Sequence, residues 1–529
     1  MRKANDMDYF SESQITRKQV RATASGVVAS QHKVAAQAGA DVLRAGGDAV
    51  DAAVATSFAL GVVEPWMSGM AAGGCMVLWR AKERRAYAVN FGMRSPVQLD
   101  PADYPLSGLP PNTDLFPWAA VVDDRNVRGA TAVAVPGVVA GMQLAHERFG
   151  RTPWRELVMP AVGLARQGMA IDWYSALLIA SSARALADDP DAARMFLDDG
   201  HWPKIGSWAA DAHQRLDQST LAQSLWAVAD EGAAAFYGGD VGQAMVRDIR
   251  DKGGCMSLDD LRHYRAEWVE PLEIAYRGGQ VLAVPGMTGG PTLAQALRGL
   301  DAALSIDTRG APGAQAYQAM ACALQGAFRS RLSDMGDHEP PKQLTSTTHF
   351  SVVDAEGNLC AVTQTLLSIF GSRVVSPATG LLLNNGIMWF DPEPGRANSL
   401  APGKRCLANY CPVIGTAADG RQFAIGASGG RKIIGAVMQL ASFMMAHGMS
   451  LEEAFHQPRI DVSGGAGIVA DQALPAEVQQ ALAQVMPVTT TRRNVFPYAF
   501  ACPAGVMREG SRNMGCAEVM SPWGDAVHG

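Results

Sequence analysis

Residues 346–365 read STTHFSVVDAEGNLCAVTQT. Phe350–Val353 and Leu359–Thr363 are strand-like, and Glu356-Gly357-Asn358 between them has the composition of a turn, so the stretch predicts a β-hairpin. A hairpin this apolar needs cover. The chain around it supplies helical blocks: Ala35–Arg44 and Ala49–Leu60, separated by Gly46-Gly47, then Val138–Ala193, Ser219–Val228, Gly242–Asp251, Pro291–Leu304, Gln315–Arg331 and Arg431–Met445. Strand-like segments cover Gly73–Trp79, Arg85–Phe91, Leu272–Val284, much of Thr347–Asn385 and Phe423–Ser428. Leu99–Asp124 and Pro392–Gly403 read as loops. Strands and helices are thus mixed but gathered in blocks, which fits sheets sandwiched between helical layers.

At 529 residues, the chain exceeds one small core and calls for two domains or one large layered one. Hydrophobic residues make up 48% and charged ones 18%, which argues against disorder over most of the length. A net charge of -6 gives no electrostatic reason to expect nucleic acid or an anionic membrane as a partner. Met1–Val20 lacks the apolar core of a signal peptide, and no apolar run is long enough to span a bilayer, so a cytoplasmic protein is expected. The eight cysteines contain no C-x-x-C pair, and the ten histidines no H-E-x-x-H. Buried thiols are expected rather than bridges, with no metal and no cofactor.

The hairpin opens on hydroxyls, and a hydroxyl is a weak nucleophile until a base takes its proton. No Ser-His-Asp arrangement is visible. One solution needs no separate base. If the bond between Ser346 and Thr347 is cut, the new α-amino group lies beside the hydroxyl of its own residue. An α-amine titrates near about 7.7–8.0, so part of it is neutral at pH 7 and can act as general base. The residue types by themselves favour a plainer reading, with Thr347 and Thr348 as β-branched strand residues. A second feature is Gly429-Gly430, after a strand and before a helix. Such a junction points backbone N–H groups outward at a positive helix end and can receive an oxyanion, although a tight turn explains it equally well. A third, Gly69-Met-Ala-Ala-Gly-Gly74, reads as close backbone packing.

In this order and at these separations, the motifs resemble the γ-glutamyltransferase family of N-terminal-nucleophile hydrolases. The likeness runs from about Gly26 to Asp525. It rests on Gly46-Gly-Asp-Ala-Val-Asp-Ala-Ala53, Val63-Glu-Pro65 with Ser68-Gly69 and Gly73-Gly74, Pro136-Gly-Val-Val-Ala-Gly141, Thr347-Thr-His-Phe-Ser-Val-Val-Asp354, Gly380-Leu-Leu-Leu-Asn-Asn385 and Ser428-Gly-Gly430. The resemblance implies a four-layer αββα sandwich and a proenzyme that cleaves itself once, at Ser346-Thr347. The products would be a large subunit, 1–346, whose residues 1–25 are expected to be loosely packed or disordered, and a small subunit, 347–529. The two would form one intertwined domain, with room for a dimer of heterodimers. Thr347 would be the nucleophile, Thr365 would orient it, and Gly429 and Gly430 would form the oxyanion hole.

The departures fall on substrate-binding positions. Glutathione-cleaving members hold the α-carboxylate with an arginine in a Phe-Arg-Glu stretch, and here Gly92 takes that place in Phe91-Gly-Met-Arg-Ser-Pro96. The family asparagine two residues past Thr365 is Leu367. Polar and acidic positions of the Asn-Asn-Gln-Met-Asp-Asp stretch become Gly386 and Trp389, and a Ser-Ser pair becomes Ala408-Asn409. Arg94, Asn409 and Trp389 are the candidate substrate-binding residues, although Arg94 at a loop edge would equally suit a surface ion pair. The expected activity is hydrolysis of a small amide, with hydrolysis favoured over transfer. The acyl donor would carry at most one anionic group, as glutaryl amides or oxamate do. True γ-glutamyl transfer from glutathione, cephalosporin-acylase-like activity and a silent binding protein on this scaffold are the competing readings.

Overall fold

A computed structural model describes residues 17–110, 118–206, 214–304, 309–335 and 347–529, with backbone only for 332–335. Its centre is a pair of antiparallel sheets. The first is assembled from β1 (Val27–Ser30), β2 (Gly73–Arg80), β3 (Arg85–Phe91), β4 (Glu267–Val269), β7 (Thr348–Val353), β8 (Leu359–Thr365) and β13 (Asp525–His528), in the order β13-β1-β7-β8-β2-β3-β4. The second is assembled from β5 (Leu272–Tyr276), β6 (Gly279–Ala283), β9 (Val413–Thr416), β10 (Gln422–Ser428), β11 (Cys502–Glu509) and β12 (Arg512–Ala517), in the order β12-β11-β10-β9-β6-β5.

Both sheets are covered on both faces, as their side-chain alternation shows. In β2, Met76 and Leu78 join a core shared with helices, whereas Cys75 and Val77 join the core between the sheets. In β8, Cys360 and Val362 face the helices, while Leu359 and Ala361 face the other sheet. In β10, Phe423, Ile425 and Ala427 face a second helical layer, and Ala424 faces inward. The helices outside the first sheet include α1 (Lys33–Arg44), α2 (Ala49–Val63), α3 (Trp154–Gln167) and α4 (Ser219–Glu231). Those outside the second are α5 (Gly290–Ala303), α6 (Ala314–Met335) and α7 (Lys432–Met445). The architecture is therefore the expected αββα sandwich.

Local chemistry explains the elements nearest the site. The Gly46-Gly47-Asp48 motif starts α2 through a capping box: Asp48 Oδ1 accepts the Val50 and Asp51 N–H groups, and Asp51 Oδ2 accepts the Asp48 N–H. The alanines of α1 and α2 let them approach until a Cβ at Gly39 would lie 2.2 Å from Thr56 Oγ1.

The structure corrects several sequence expectations. Residues 17–25 are strapped down rather than loose. Arg17 pairs with Glu452 at 2.6 Å, the Val20 N–H donates to the same carboxylate, and Thr23 exchanges backbone bonds with Asn513. The earlier residues lie outside those described. Val138–Ala193 is helical as expected, in four helices broken around Gly150–Pro153, Gly168–Asp172 and Ala187–Asp189. Leu272–Val284 is a hairpin, because Arg277 and Gly278 both take positive φ, at 50° and 71°. Beyond Thr365 the chain leaves the sheet through Leu367, Phe370, Gly371 and Arg373, all at positive φ. None of the eight cysteines is bridged; six are buried, Cys255 is half-buried and Cys322 is exposed. Among the described residues no helix is long and apolar enough to cross a membrane.

Candidate active site

The hairpin turn is tied by Asp354, whose Oδ1 accepts the Asn358 N–H at 2.9 Å and whose Oδ2 accepts Asn358 Nδ2 at 2.7 Å. The register Thr348↔Gln364 then sets Thr347 opposite Thr365 at the open end. By the same alternation Thr347, His349 and Ser351 point between the sheets, while Thr348, Phe350 and Val352 point toward the helices. Thr347 is only 4% exposed. Its hydroxyl lies 3.4 Å from Thr365 Oγ1, which accepts the Leu367 N–H at 2.8 Å. The first distance is longer than an ordinary O–H···O bond, as is common before a substrate arrives. Ser346 itself lies outside the described residues.

The facing strand brings the glycine pair to the same end. Gly426 of β10 packs on the His349 ring, where a Cβ would come within 2.4 Å of it. Two residues on, Ser428 Oγ accepts Gln31 Nε2 at 2.6 Å, and Gln31 follows Ser30, which pairs with Phe350. Gly429 and Gly430 come next, with φ of 124° and 58°, and α7 begins two residues later. Among the described residues their N–H groups donate to no protein acceptor. Two unspent backbone donors at a helix N-terminus are what a developing oxyanion requires.

Thr365 pairs on its other side with Gly73, and Gly74 with Phe91. The glycines permit this close approach: a Cβ at Gly73 would lie 2.8 Å from Met93 N, and one at Gly74 would lie 2.3 Å from Thr363 O. Residues 92–94 thus begin three strands along the sheet from the strand that Thr347 opens, past β8 and β2. The space over Gly92 is taken by the Tyr410 ring and Arg405, whose atoms lie 3.8 and 3.9 Å from the position of a Cβ there. Arg405 donates to Gly92 O at 2.8 Å. Arg94 turns outward instead, 35% exposed and 2.9 Å from Glu267, which also pairs with Arg405 at 3.0 Å. Its surface ion pair is the alternative weighed for it from the sequence. Trp389 is buried edge-on to Tyr410, with ring centroids 5.1 Å apart, in the apolar cluster that holds Met93 and Leu367. Asn409 Oδ1 accepts Arg331 Nη2 at 3.0 Å, and among the described residues its Nδ2 has no partner.

Three groups at the site were not singled out from sequence. Arg331 is fully buried against Thr288, Thr292, Ala408 and Asn409, all uncharged, and burial brings its guanidinium down to about 10. His349 bonds both ring nitrogens, to Thr363 Oγ1 and Ser351 Oγ at 2.9 Å each, and burial lowers it to about 3. Glu64 accepts a hydrogen bond from Thr348 Oγ1 at 3.1 Å, and burial raises its carboxyl to about 7. Glu64 and His349 stood inside the motifs Val63-Glu-Pro65 and Thr347-Thr-His-Phe-Ser-Val-Val-Asp354, and Arg331 at the end of a helical block, but core hydrogen bonding places polar residues there as often as function does.

A two-sheet αββα sandwich with a threonine opening an inner strand, opposite a glycine pair ending the facing strand, defines the N-terminal-nucleophile hydrolase class. A family model described as gamma-glutamyltranspeptidase matches residues 35–346 and 339–496. The chain belongs to that family, whose members are self-processing amidohydrolases. It is 35% identical over 492 residues to the acylase ACY 1 proenzyme of Pseudomonas sp. (strain V22), covering 86% of each chain. It is 30% identical over 514 residues to the glutathione hydrolase proenzyme of Bacillus subtilis (strain 168), covering 87% of this chain and 84% of the relative. The crystal structure of cephalosporin acylase from Bacillus halodurans superposes with a TM-score of 0.82 over 99% of both chains, at 24% identity, a likeness of fold.

Proposed function

We propose that the chain is cut once, before Thr347, and that Thr347 then works as the nucleophile of an amide hydrolase selective for small acyl groups without an amino-acid head. In the cut, Thr347 Oγ1 attacks the Ser346 carbonyl carbon. Its proton goes to the departing Thr347 nitrogen, and water hydrolyses the resulting ester. In turnover the freed α-amine takes the Oγ1 proton, Oγ1 attacks the substrate carbonyl, and the N–H groups of Gly429 and Gly430 receive the oxyanion. The proton passes to the leaving amine, and water releases the acyl group from the threonine ester. Thr365 orients the hydroxyl.

The observation that carries this reading is the Thr347 hydroxyl set 3.4 Å from Thr365 at the mouth of the hairpin. Strand sharing supports the two-piece product. β7, β8 and β13 alternate with β1–β4 in one sheet, and β9–β12 join β5 and β6 in the other. Neither piece can bury its sheet faces without its partner, so the pieces stay together without a disulfide. The substrate reading rests on the apolar surroundings of Met93, Leu367, Trp389 and Tyr410, and on the absence of a side chain at Gly92. A polar head group there would lose its hydrogen bonds on binding.

Intact mass spectrometry of the purified protein should show two species, 1–346 and 347–529, and Thr347→Ala should give one. An uncut, fully active wild type overturns the reading. Rates on glutathione, γ-glutamyl-p-nitroanilide, glutaryl amides and oxamate then test the acyl group. A hundredfold preference for glutathione, about 2.7 kcal/mol of transition-state preference, would establish the second reading, a glutathione hydrolase.

A further inference from the structure

Self-cleavage creates a new cation at Thr347, and a carboxyl group without an ion-pair partner among the described residues is bonded to the next residue, Thr348. Glu64 caps the C-terminal end of α2. It is fully buried and bonded through Oε2 to the hydroxyl of Thr348, the residue after the nucleophile. No Lys, Arg or His forms an ion pair with it among the described residues. Tyr174, from the helix Trp173–Leu186, is bonded to Tyr498, and burial drives both phenols well above their usual range. The segment 366–373 hangs on Trp66 and Met67 through the Phe370 and Leu366 N–H groups, and its Arg373 donates to Val127 O. Trp523 stacks near Trp66 from the C-terminal side.

A buried carboxyl without an ion pair among the described residues, at the negative end of a 15-residue helix, is held away from ionisation by two effects. The same two features favour a positive charge placed next to them. Thr347 and Thr348 are buried, so an ammonium formed there would lose its water and need a counter-charge.

We propose that Glu64, anchored by the Thr348 hydroxyl, is the counter-ion of the α-amino group released at Thr347 and sets its basicity. It acts through that amine as a positioning residue. The proposal rests on the reading of Thr347 as the residue freed by self-cleavage. The cut consumes one water and gives a carboxyl group at Ser346 and an amine at Thr347, with no redox step. The amine takes a proton at neutral pH, and Glu64 gives one up. During turnover the amine, deprotonated, accepts the Oγ1 proton, and the Glu64 carboxylate steadies the ammonium until the proton passes to the leaving nitrogen.

Glu64→Gln keeps the size and removes the charge. The amine then becomes more acidic, so the acid limb of the kcat/KM–pH profile should move down by about one pH unit, with a lower plateau from the weaker base. Thr348→Val should shift the limb the same way by less, and Thr348→Ser should restore it. A Glu64→Gln enzyme that loses rate at every pH with its limb unmoved overturns the proposal. If that variant does not mature, infrared spectra of uncut Thr347→Ala and mature wild type at pH 6 decide. The stretch of a buried protonated carboxyl should be present in the first, missing from the second, and removed by adding Glu64→Gln to Thr347→Ala. A band that persists in the mature protein overturns the proposal. Failure of the underlying reading looks different, because wild type would then not be cut before Thr347.

Discussion

The imidazole of His349 fills the space that a side chain at Gly426 would need, with only 2.4 Å between the ring and an added Cβ. The ring cannot retreat without giving up its bonds to Thr363 and Ser351. The contact also joins the two sheets one turn of the ladder below the nucleophile. Gly426→Ala should therefore cost about 3 kcal/mol or more through overpacking and lost hydrogen bonds. Soluble yield and Tm of the Thr347→Ala precursor, with and without Gly426→Ala, check this. An unchanged Tm would mean the sheets are not locked at this point.

The same histidine gives the acid stability profile a sign. Burial lowers it in the folded state to about 3, against about 6.5 in an unfolded chain. The unfolded state then binds the extra proton, so stability rises with pH between these values and is lost as pH falls below about 6.5. The contribution reaches about 1.4 kcal/mol per pH unit within that window. His349→Gln, which stays neutral and can still hydrogen-bond, should remove that slope. Denaturant unfolding at several values between pH 4 and 7 measures it, and equal slopes in both proteins would refute the assignment.

The sequence showed the hairpin and the glycine pair because each rests on local pattern: alternation about a turn, and a strand followed by Gly-Gly and a helix; Thr365 stood out only through the family resemblance. It concealed what depends on distant partners. Val27–Ser30 is too short to stand out from the alanine-rich helices after it, and its strand partners are Phe350–Val353 and Asp525–His528. Arg94 looked available because its carboxylate, Glu267, lies 173 positions away. Arg405 and Tyr410, which fill the space over Gly92, come from a segment without periodicity. The strand reading of Thr347–Asn385 overran because positive φ at Leu367, Phe370 and Arg373 leaves no mark in residue type.

Thr365 and the glycine pair serve the reaction in different ways, and kinetics can separate them. Thr365→Val keeps the shape and removes the hydroxyl that faces Thr347 and accepts the Leu367 N–H. A loss in kcat on the order of 10²-fold is expected, together with slower self-cleavage. Gly429→Ala would force a side chain onto a φ of 124° and a Cβ 3.0 Å from Ala501 Cα. Its kcat should fall by about 10²-fold or more with little change in KM, because an oxyanion contact acts only in the transition state. A Thr365→Val enzyme with wild-type maturation and turnover would remove that residue from the mechanism.

Arg94→Ala should leave substrate binding alone. Its guanidinium is a third exposed and shares Glu267 with Arg405, so the pair adds little stability and no free charge. KM for an anionic donor such as a glutaryl amide should change by less than about twofold, and Tm hardly at all. A tenfold rise in KM would show that Arg94 leaves Glu267 when substrate enters.

Leu367 is where the substrate preference can be moved. It is buried among Met93, Trp389 and Tyr410, at a φ of 92° that a branched apolar residue seldom adopts. Its N–H, bonded to Thr365 Oγ1, keeps it at the edge of the nucleophile's hydroxyl pair. Asparagine tolerates positive φ better and would bring an amide into an apolar lining, so Leu367→Asn should not hinder maturation. It should favour donors with a polar head group over those without. The ratio of kcat/KM for glutathione to that for a des-amino glutaryl amide should rise by about tenfold, a change of about 1.4 kcal/mol. Side-by-side kinetics on the two donors measure the ratio, and a value equal to that of wild type would place the acyl group away from Leu367.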